Sequence, residues 1–131
     1  FEFPNENGEP YKSSGGEMVD SELGIIPKGW EVKKIESVID VVSKGTTPRK
    51  IDMDTALDEK VIKFLKVKDI SDNGTIDYSD IEYIPESIHK NQLKRSVLFY
   101  KDILISIAGT IGRVSYVNSE LINSNVNQAI A

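Results

Sequence analysis

The chain has 131 residues, of which 39% are hydrophobic and 28% charged, an ordinary composition for a single soluble globular domain. It contains no cysteine, which excludes disulfide bonds, zinc ribbons and thiolate nucleophiles. No apolar run approaches the ~20 residues that a membrane-spanning helix requires. These features predict a cytoplasmic protein with no membrane partner.

The net charge of −5 is distributed unevenly along the chain. Residues Phe1–Pro27 hold six acids and one base, and therefore carry all of it, while Lys28–Ala131 is electrically balanced. Within this balanced part, Lys60–Lys68 and the residues between Glu86 and Asp102 contain basic side chains but no acid. Such stretches are typical of a solvated strand or helix face, and they also permit contact with nucleic acid.

The first predicted segment is an extended lead-in, Phe1–Gly29, with neither helix nor sheet. It holds five of the nine glycines and three of the five prolines, with little apolar periodicity. Apolar residues from Ile35 to Val42 then fit both helical spacing and β-branched strand composition. We expect a short helix followed by a strand, which ends at the turn Gly45–Pro48.

The rest of the chain is predicted to be rich in strands. Arg49–Lys60 is polar and should form a loop or a loose helical turn. The remaining elements, in chain order, are a strand at Val61–Val67, a turn at Asp72–Gly74, a strand at Ile81–Ile84, a helix from Pro85 to about Lys94, and strands at Val97–Tyr100, Ile103–Ile107 and Arg113–Val117, the last two joined by a tight element at Gly109–Gly112. The predicted fold class is mixed α+β with short helices.

No pattern of residues predicts catalysis. His89 is the only histidine and has no matching nucleophile or acid at a diagnostic spacing, so we interpret it as incidental. Asp58-Glu59-Lys60 matches half of a metal-dependent nuclease motif, but no Pro-Asp precedes it. Carboxylates close to it in sequence could bind a hard cation. Gly109–Gly112 lacks the glycine pattern of a nucleotide-binding loop. We therefore expect no cofactor and no bound metal.

Several short strings, in a fixed order, resemble one protein family. Gly24–Ile35 followed by Gly45–Pro48 resembles the opening of a target-recognition domain in the DNA specificity subunit of type I restriction-modification systems. Its later signatures are similar to Phe64–Ile70, Asp102–Ser106, Gly109–Arg113 and Asn127–Ala131. Each string alone is weak, whereas their ordered succession across nearly the whole chain is specific.

This resemblance implies a module that recognises double-stranded DNA and has no catalysis of its own. Two such domains in one subunit each recognise half of a split target, while separate modification (methyltransferase) and ATP-dependent restriction subunits methylate and cleave. Residues 1–29 are then a linker, and 30–131 a target-recognition domain that lacks its C-terminal end. Two alternatives remain open: a metal-dependent nuclease, and a protein-interaction module that docks through its acidic lead-in.

Candidate DNA contacts follow from general rules of recognition. Basic side chains bind phosphates, and side chains that reach base edges determine sequence preference. Arg113 follows the glycine turn, and Thr46 and Thr47 lie in the Gly45–Pro48 turn, so we expect these three to approach the major groove. We interpret Asn127 and Gln128 as structural. The predicted phosphate contacts are Lys63, Lys66, Lys68, Lys90 and Lys94.

Overall fold

A computed structural model describes residues 2–54 and 60–131. The chain separates into two compact units, Phe1–Val41 and Val42–Ala131. Strands in the described residues are β1 (Met18–Ser21), β2 (Gly24–Pro27), β3 (Lys60–Leu65), β4 (Glu82–Pro85), β5 (Ile103–Ile105), β6 (Val114–Tyr116) and β7 (Asn125–Val126). The α-helices are α1 (Lys50–Asp54) and α2 (Glu86–Asn91), and 3-10 turns lie at Ile35–Ser37, Val67–Asp69 and Lys94–Ser96. A mixed α+β fold is therefore confirmed.

The first unit contains an antiparallel hairpin of β1 and β2, with Met18 opposite Pro27. The expectation of a lead-in without any sheet is wrong here. Two short apolar segments flank a tight turn, and Gly24, at φ +107°, has a backbone conformation that side chains disfavour. Ser21 Oγ closes the turn by donating to the Gly24 carbonyl at 2.5 Å.

The predicted helix near Ile35 is reduced to the 3-10 turn Ile35–Ser37. The strand expected after it is wrong, because the described backbone from Val38 to Arg49 forms none. Within that stretch the side chain of Val42 is 71% exposed. β-Branched composition favours a strand only where a neighbouring edge is available to pair with it, and none accepts this segment.

The second unit contains a three-stranded sheet in the order β4-β3-β7 and a separate β5–β6 hairpin. β3 pairs antiparallel with β4, which places Phe64 opposite Glu82, and parallel with β7, which places Phe64 opposite Asn125. The strands predicted at Val61–Val67 and Ile81–Ile84 are confirmed with shifted ends. The strands predicted at Ile103–Ile107 and Arg113–Val117 are confirmed as the shorter β5 and β6. β7 was not predicted.

Two further expectations concern the region after β4. The helix following Pro85 is confirmed but ends at Asn91, before the 3-10 turn Lys94–Ser96. The strand expected at Val97–Tyr100 is wrong, since only an isolated bridge from Val97 to Asn125 forms. The chain then turns at Lys101, whose φ is +70°.

Two apolar clusters in the second unit flank the central strand. Phe64 lies in the smaller cluster and the adjacent Leu65 in the larger one, as alternation along a strand requires. The larger cluster contains Leu65, Ile70, Leu98, Leu104, Val117, Leu121, Val126 and Ile130, and the smaller one Phe64, Ile84, Ile88 and Leu93. Among residues 2–54 and 60–131, no helix is long and apolar enough to cross a membrane.

Candidate nucleic-acid interface

The three predicted phosphate ligands around β3, hereafter the β3 lysine group (Lys63, Lys66 and Lys68), all have partners within the protein. Lys66 forms an ion pair with Glu82, and Lys68 Nζ lies 2.5 Å from a carboxylate oxygen of Asp80. These acids are distant in sequence, but the antiparallel pairing of β3 with β4 brings them alongside. Lys66 and Lys68, which lie in a stretch without acids in the sequence, therefore have acidic partners in the folded protein.

The remaining contacts of the β3 lysine group involve Lys63 and the buried Asp69. Lys63 Nζ donates to the Glu120 carbonyl oxygen at 2.8 Å and lies 5.1 Å from the centre of the Tyr78 ring. Asp69 is buried and accepts from the Lys66 backbone N–H at 2.7 Å. Burial raises the pKa of the Asp69 carboxyl, whereas the hydrogen bond from Lys68 lowers the pKa of Asp80.

Arg113, a predicted base-reading residue, is tied to the β3 end of the unit. Its Nε donates to Asp72 Oδ1 at 2.8 Å, and its Nη2 lies 2.7 Å from the same oxygen in an ion pair. Its Nη1 donates to the carbonyl oxygens of Ile70 at 2.7 Å and Val67 at 3.3 Å. The guanidinium thus makes three hydrogen bonds and an ion pair within the protein, so a bidentate contact with guanine requires Arg113 to leave these partners.

The Gly45–Pro48 segment, predicted as a turn, has no turn assigned in the structure and lies against the C-terminal residues. Gly45 donates its backbone N–H to the Ile130 carbonyl at 3.0 Å. A Cβ at this position would collide with the Val126 and Asn127 carbonyl oxygens, so the close approach requires glycine. Thr46 is exposed, and Thr47 Oγ1 donates to the exposed Gln128 side chain. Both threonines therefore present hydroxyls at the surface.

Lys90 and Lys94, on and after α2, differ in their surroundings. Lys90 Nζ lies 2.7 Å from Glu86, one helical turn earlier, and this contact lowers the pKa of Glu86. Lys94 and its neighbour Arg95 are exposed and form no ion pair with any described residue. Lys44, also exposed and without such a pair, is a further basic residue that sequence reasoning missed.

Hydrogen bonds hold two segments with these basic residues side by side. Ser43 Oγ donates to the Arg95 carbonyl at 3.1 Å, and Gln92 Nε2 donates to Asp52 Oδ2 at 3.1 Å. Residues 43–52 therefore lie along residues 92–95. Since neither segment has a regular pattern that predicts this packing, only the folded structure brings Lys44 close to Arg95.

His89, interpreted above as incidental, is a buried structural residue. Its Nδ1 lies 2.5 Å from Asn125 Oδ1 and its Nε2 lies 3.1 Å from Asn123 Oδ1. Asn125 Nδ2 donates to the Leu93 and Ser96 carbonyls at 3.0 Å each, which directs its Oδ1 towards His89. This network fixes the 3-10 turn that carries Lys94 and Arg95.

The described residues also bear on the metal-binding alternative. Among them, no group of three or more His, Asp or Glu side chains could hold a metal ion. Asp58 and Glu59, from the nuclease-like string, lie outside the described residues, as does the side chain of Lys60. The nuclease interpretation therefore stays a prediction.

Comparison with known proteins identifies the family. The sequence profile of the type I restriction modification DNA specificity domain matches residues 27–131. A curated relative, the type I restriction enzyme EcoBI specificity subunit of Escherichia coli, is 39% identical over 70 residues, which are 53% of this chain and 14% of the relative. The chain belongs to the type I restriction modification DNA specificity domain family, and it matches only a small part of that relative's length.

Proposed function

We propose that this chain is a target-recognition domain of a type I specificity subunit. It recognises one half of a bipartite site in double-stranded DNA and so directs methylation or cleavage by the modification and restriction subunits. The observation that carries this proposal is the family match over residues 27–131, which includes the entire second unit. The domain contributes recognition, and the partner subunits contribute catalysis.

The strand-rich second unit supports this assignment at the level of the fold. Its sheet and its hairpin hold the exposed Gly109–Gly112 turn on a packed core, and the two threonines of the Gly45–Pro48 segment are also exposed. Recognition residues commonly lie on turns that a rigid scaffold positions. We propose that this arrangement is the target-recognition fold, with the Gly45–Pro48 segment directed towards DNA.

The DNA contacts predicted from the sequence differ in whether their side chains already have partners within the protein. Lys94, Thr46 and Thr47 are exposed side chains able to meet DNA directly. Lys66, Lys68 and Lys90 would each exchange a carboxylate for a phosphate, and Lys63 would leave its carbonyl partner. We propose that Arg113 instead holds the glycine turn in place through Asp72.

A domain exchange in the intact enzyme tests the proposed function. Residues 30–131 are replaced in the full-length subunit by the matching region of a relative, and the subunit is assembled with its modification subunit. Selection from a randomised pool of DNA duplexes then gives the target site. We expect one half of the bipartite site to change with the exchange. An unchanged site would show that this region does not determine specificity.

A further inference from the structure

We propose that the DNA backbone docks on a basic face formed by Lys44, Lys94 and Arg95. The inference rests on the proposed function and deepens it, because it specifies which surface meets the phosphates. Only Lys94 of these three was expected from the sequence. Most of the remaining predicted phosphate ligands lie in the β3 lysine group, so the two surfaces are rival docking sites on the same unit.

The first argument is the availability of charge. All three side chains of the basic face are exposed, and none forms an ion pair with a side chain that the structure describes, those of residues 2–52 and 61–131. The two segments that carry them, 43–52 and 90–95, together contain six basic residues and one acid, Asp52. A local excess of positive charge attracts the DNA backbone even though the whole chain is acidic.

The second argument is the fixed backbone beneath these charges. The Ser43 hydroxyl binds the Arg95 carbonyl, and the buried Asn125 amide binds the carbonyls on either side of Lys94 and Arg95, at Leu93 and Ser96. Gly45, next to Lys44, is bonded to Ile130. A surface positioned before binding loses less conformational entropy when DNA arrives.

The third argument is the contrast with the β3 lysine group. Glu82 and Asp80 lie beside Lys66 and Lys68, and they stay in place when a phosphate approaches. Their negative charge offsets the attraction of the lysines. Surface ion pairs of this kind contribute little stability, so the obstacle is repulsion by the remaining acids rather than the strength of the pairs.

The fourth argument is the position of hydrogen-bonding groups next to the basic face. Thr46 and Thr47 follow Lys44 in the chain, and Thr47 is bonded to the Gln128 side chain, which is also exposed. Hydroxyl and amide groups are suited to contacts with base edges. Phosphates bound at the basic face would hold a groove near these groups.

Matched charge removals in the full-length subunit, assembled with its modification subunit, test the proposal. One variant carries Lys44→Gln, Lys94→Gln and Arg95→Gln, and the control carries Lys63→Gln, Lys66→Gln and Lys68→Gln. Fluorescence anisotropy measures binding to a random-sequence duplex over a series of salt concentrations. We expect the slope of log Kobs against log salt to fall by about 2–3 for the first variant, since each phosphate contact contributes about 0.9.

The control variant should change the slope by less than about 1. An equal or larger change in the control overturns the basic face, while the proposed function stands because the wild-type protein binds. Absence of any duplex binding by the wild-type protein counts against the proposed function itself. If a triple variant fails to fold, Lys94→Gln and Lys66→Gln are compared alone, and the slope must fall for Lys94→Gln only.

Discussion

The β3 lysine group and the basic face show how the same sequence pattern leads to different surfaces. Both draw on stretches in which several basic residues occur without an acid. In the β3 lysine group, the pairing of β3 with β4 places Glu82 and Asp80 next to Lys66 and Lys68. None of the three residues of the basic face forms such an ion pair with a described side chain. A run of charge in sequence therefore predicts a binding surface only when its spatial neighbours are known.

The largest expected effect comes from removing the support of the basic face. Asn125→Ala leaves the Ser96 carbonyl and the His89 Nδ1 without their side-chain partner, while the Leu93 carbonyl keeps its bonds from Ser96. We expect the free energy of local opening to fall by about 3 kcal/mol, since each unsatisfied buried group costs about 1–3 kcal/mol. Hydrogen exchange in the full-length subunit should accelerate around Leu93–Ser96.

Asn91→Ala is the matched control for that variant. Asn91 is exposed, and its side-chain amide donates only to the Ser87 carbonyl on the helix surface. Its removal should change the opening free energy by about 0.5 kcal/mol or less. Equal exchange rates in the two variants would contradict the supporting role of Asn125.

The next effect in size converts the β3 lysine group into a basic surface. Asp80→Asn with Glu82→Gln removes the acids that pair with Lys66 and Lys68, and Lys68 keeps only its longer contact, 3.7 Å, with the buried Asp69. Binding to random-sequence DNA should tighten, and its salt slope should steepen by up to about 2, as two lysines become available for phosphates.

A control for this gain of binding alters the total charge equally at a different place. Asp20→Asn with Glu22→Gln removes two exposed acids from the hairpin of the first unit. If binding tightens to the same degree in both variants, total charge rather than local neutralisation governs the interaction.

The smallest expected effect is a pH dependence at Asp69. Burial raises the pKa of this carboxyl above its ordinary value of 3.8, so the folded protein holds the proton more tightly than the unfolded chain does. The resulting stabilisation is complete below pH 3.8 and is lost as the pH rises through the raised pKa.

Asp69→Asn removes this titration while keeping an oxygen that accepts from the Lys66 backbone N–H. Relative to the wild-type protein, the variant should gain stability as the pH rises above 3.8, by about 1 kcal/mol or less. Hydrogen exchange of the Lys66–Ile70 amides at several pH values measures the difference. A difference that does not change with pH would refute the assignment.

The elements that the sequence predicted correctly are those with strong local patterns. β3 is rich in apolar and β-branched residues, and Pro85 marks the start of α2. The turn at Asp72–Gly74 has a positive φ at Gly74, as its Asn-Gly pair indicates. Such patterns depend on neighbouring residues in the chain, so a single sequence is sufficient to reveal them.

The features that escaped prediction depend on residues far apart in sequence. β7 has only two residues and exists because β3 offers an edge to Asn125 and Val126. The role of His89 depends on Asn123 and Asn125, more than thirty positions away. The partners of the β3 lysines, and the packing of residue 43 against residue 95, are likewise set by tertiary structure.

Amine-reactive footprinting tests the central claim most directly. Lysines of the assembled subunit are modified with and without duplex DNA, and the extent of modification at each position is read by mass spectrometry. We predict that DNA protects Lys44 and Lys94 while Lys66 and Lys68 react equally in both states. Protection of Lys66 and Lys68, with Lys44 and Lys94 unchanged, would contradict the account and place the DNA on the β3 side.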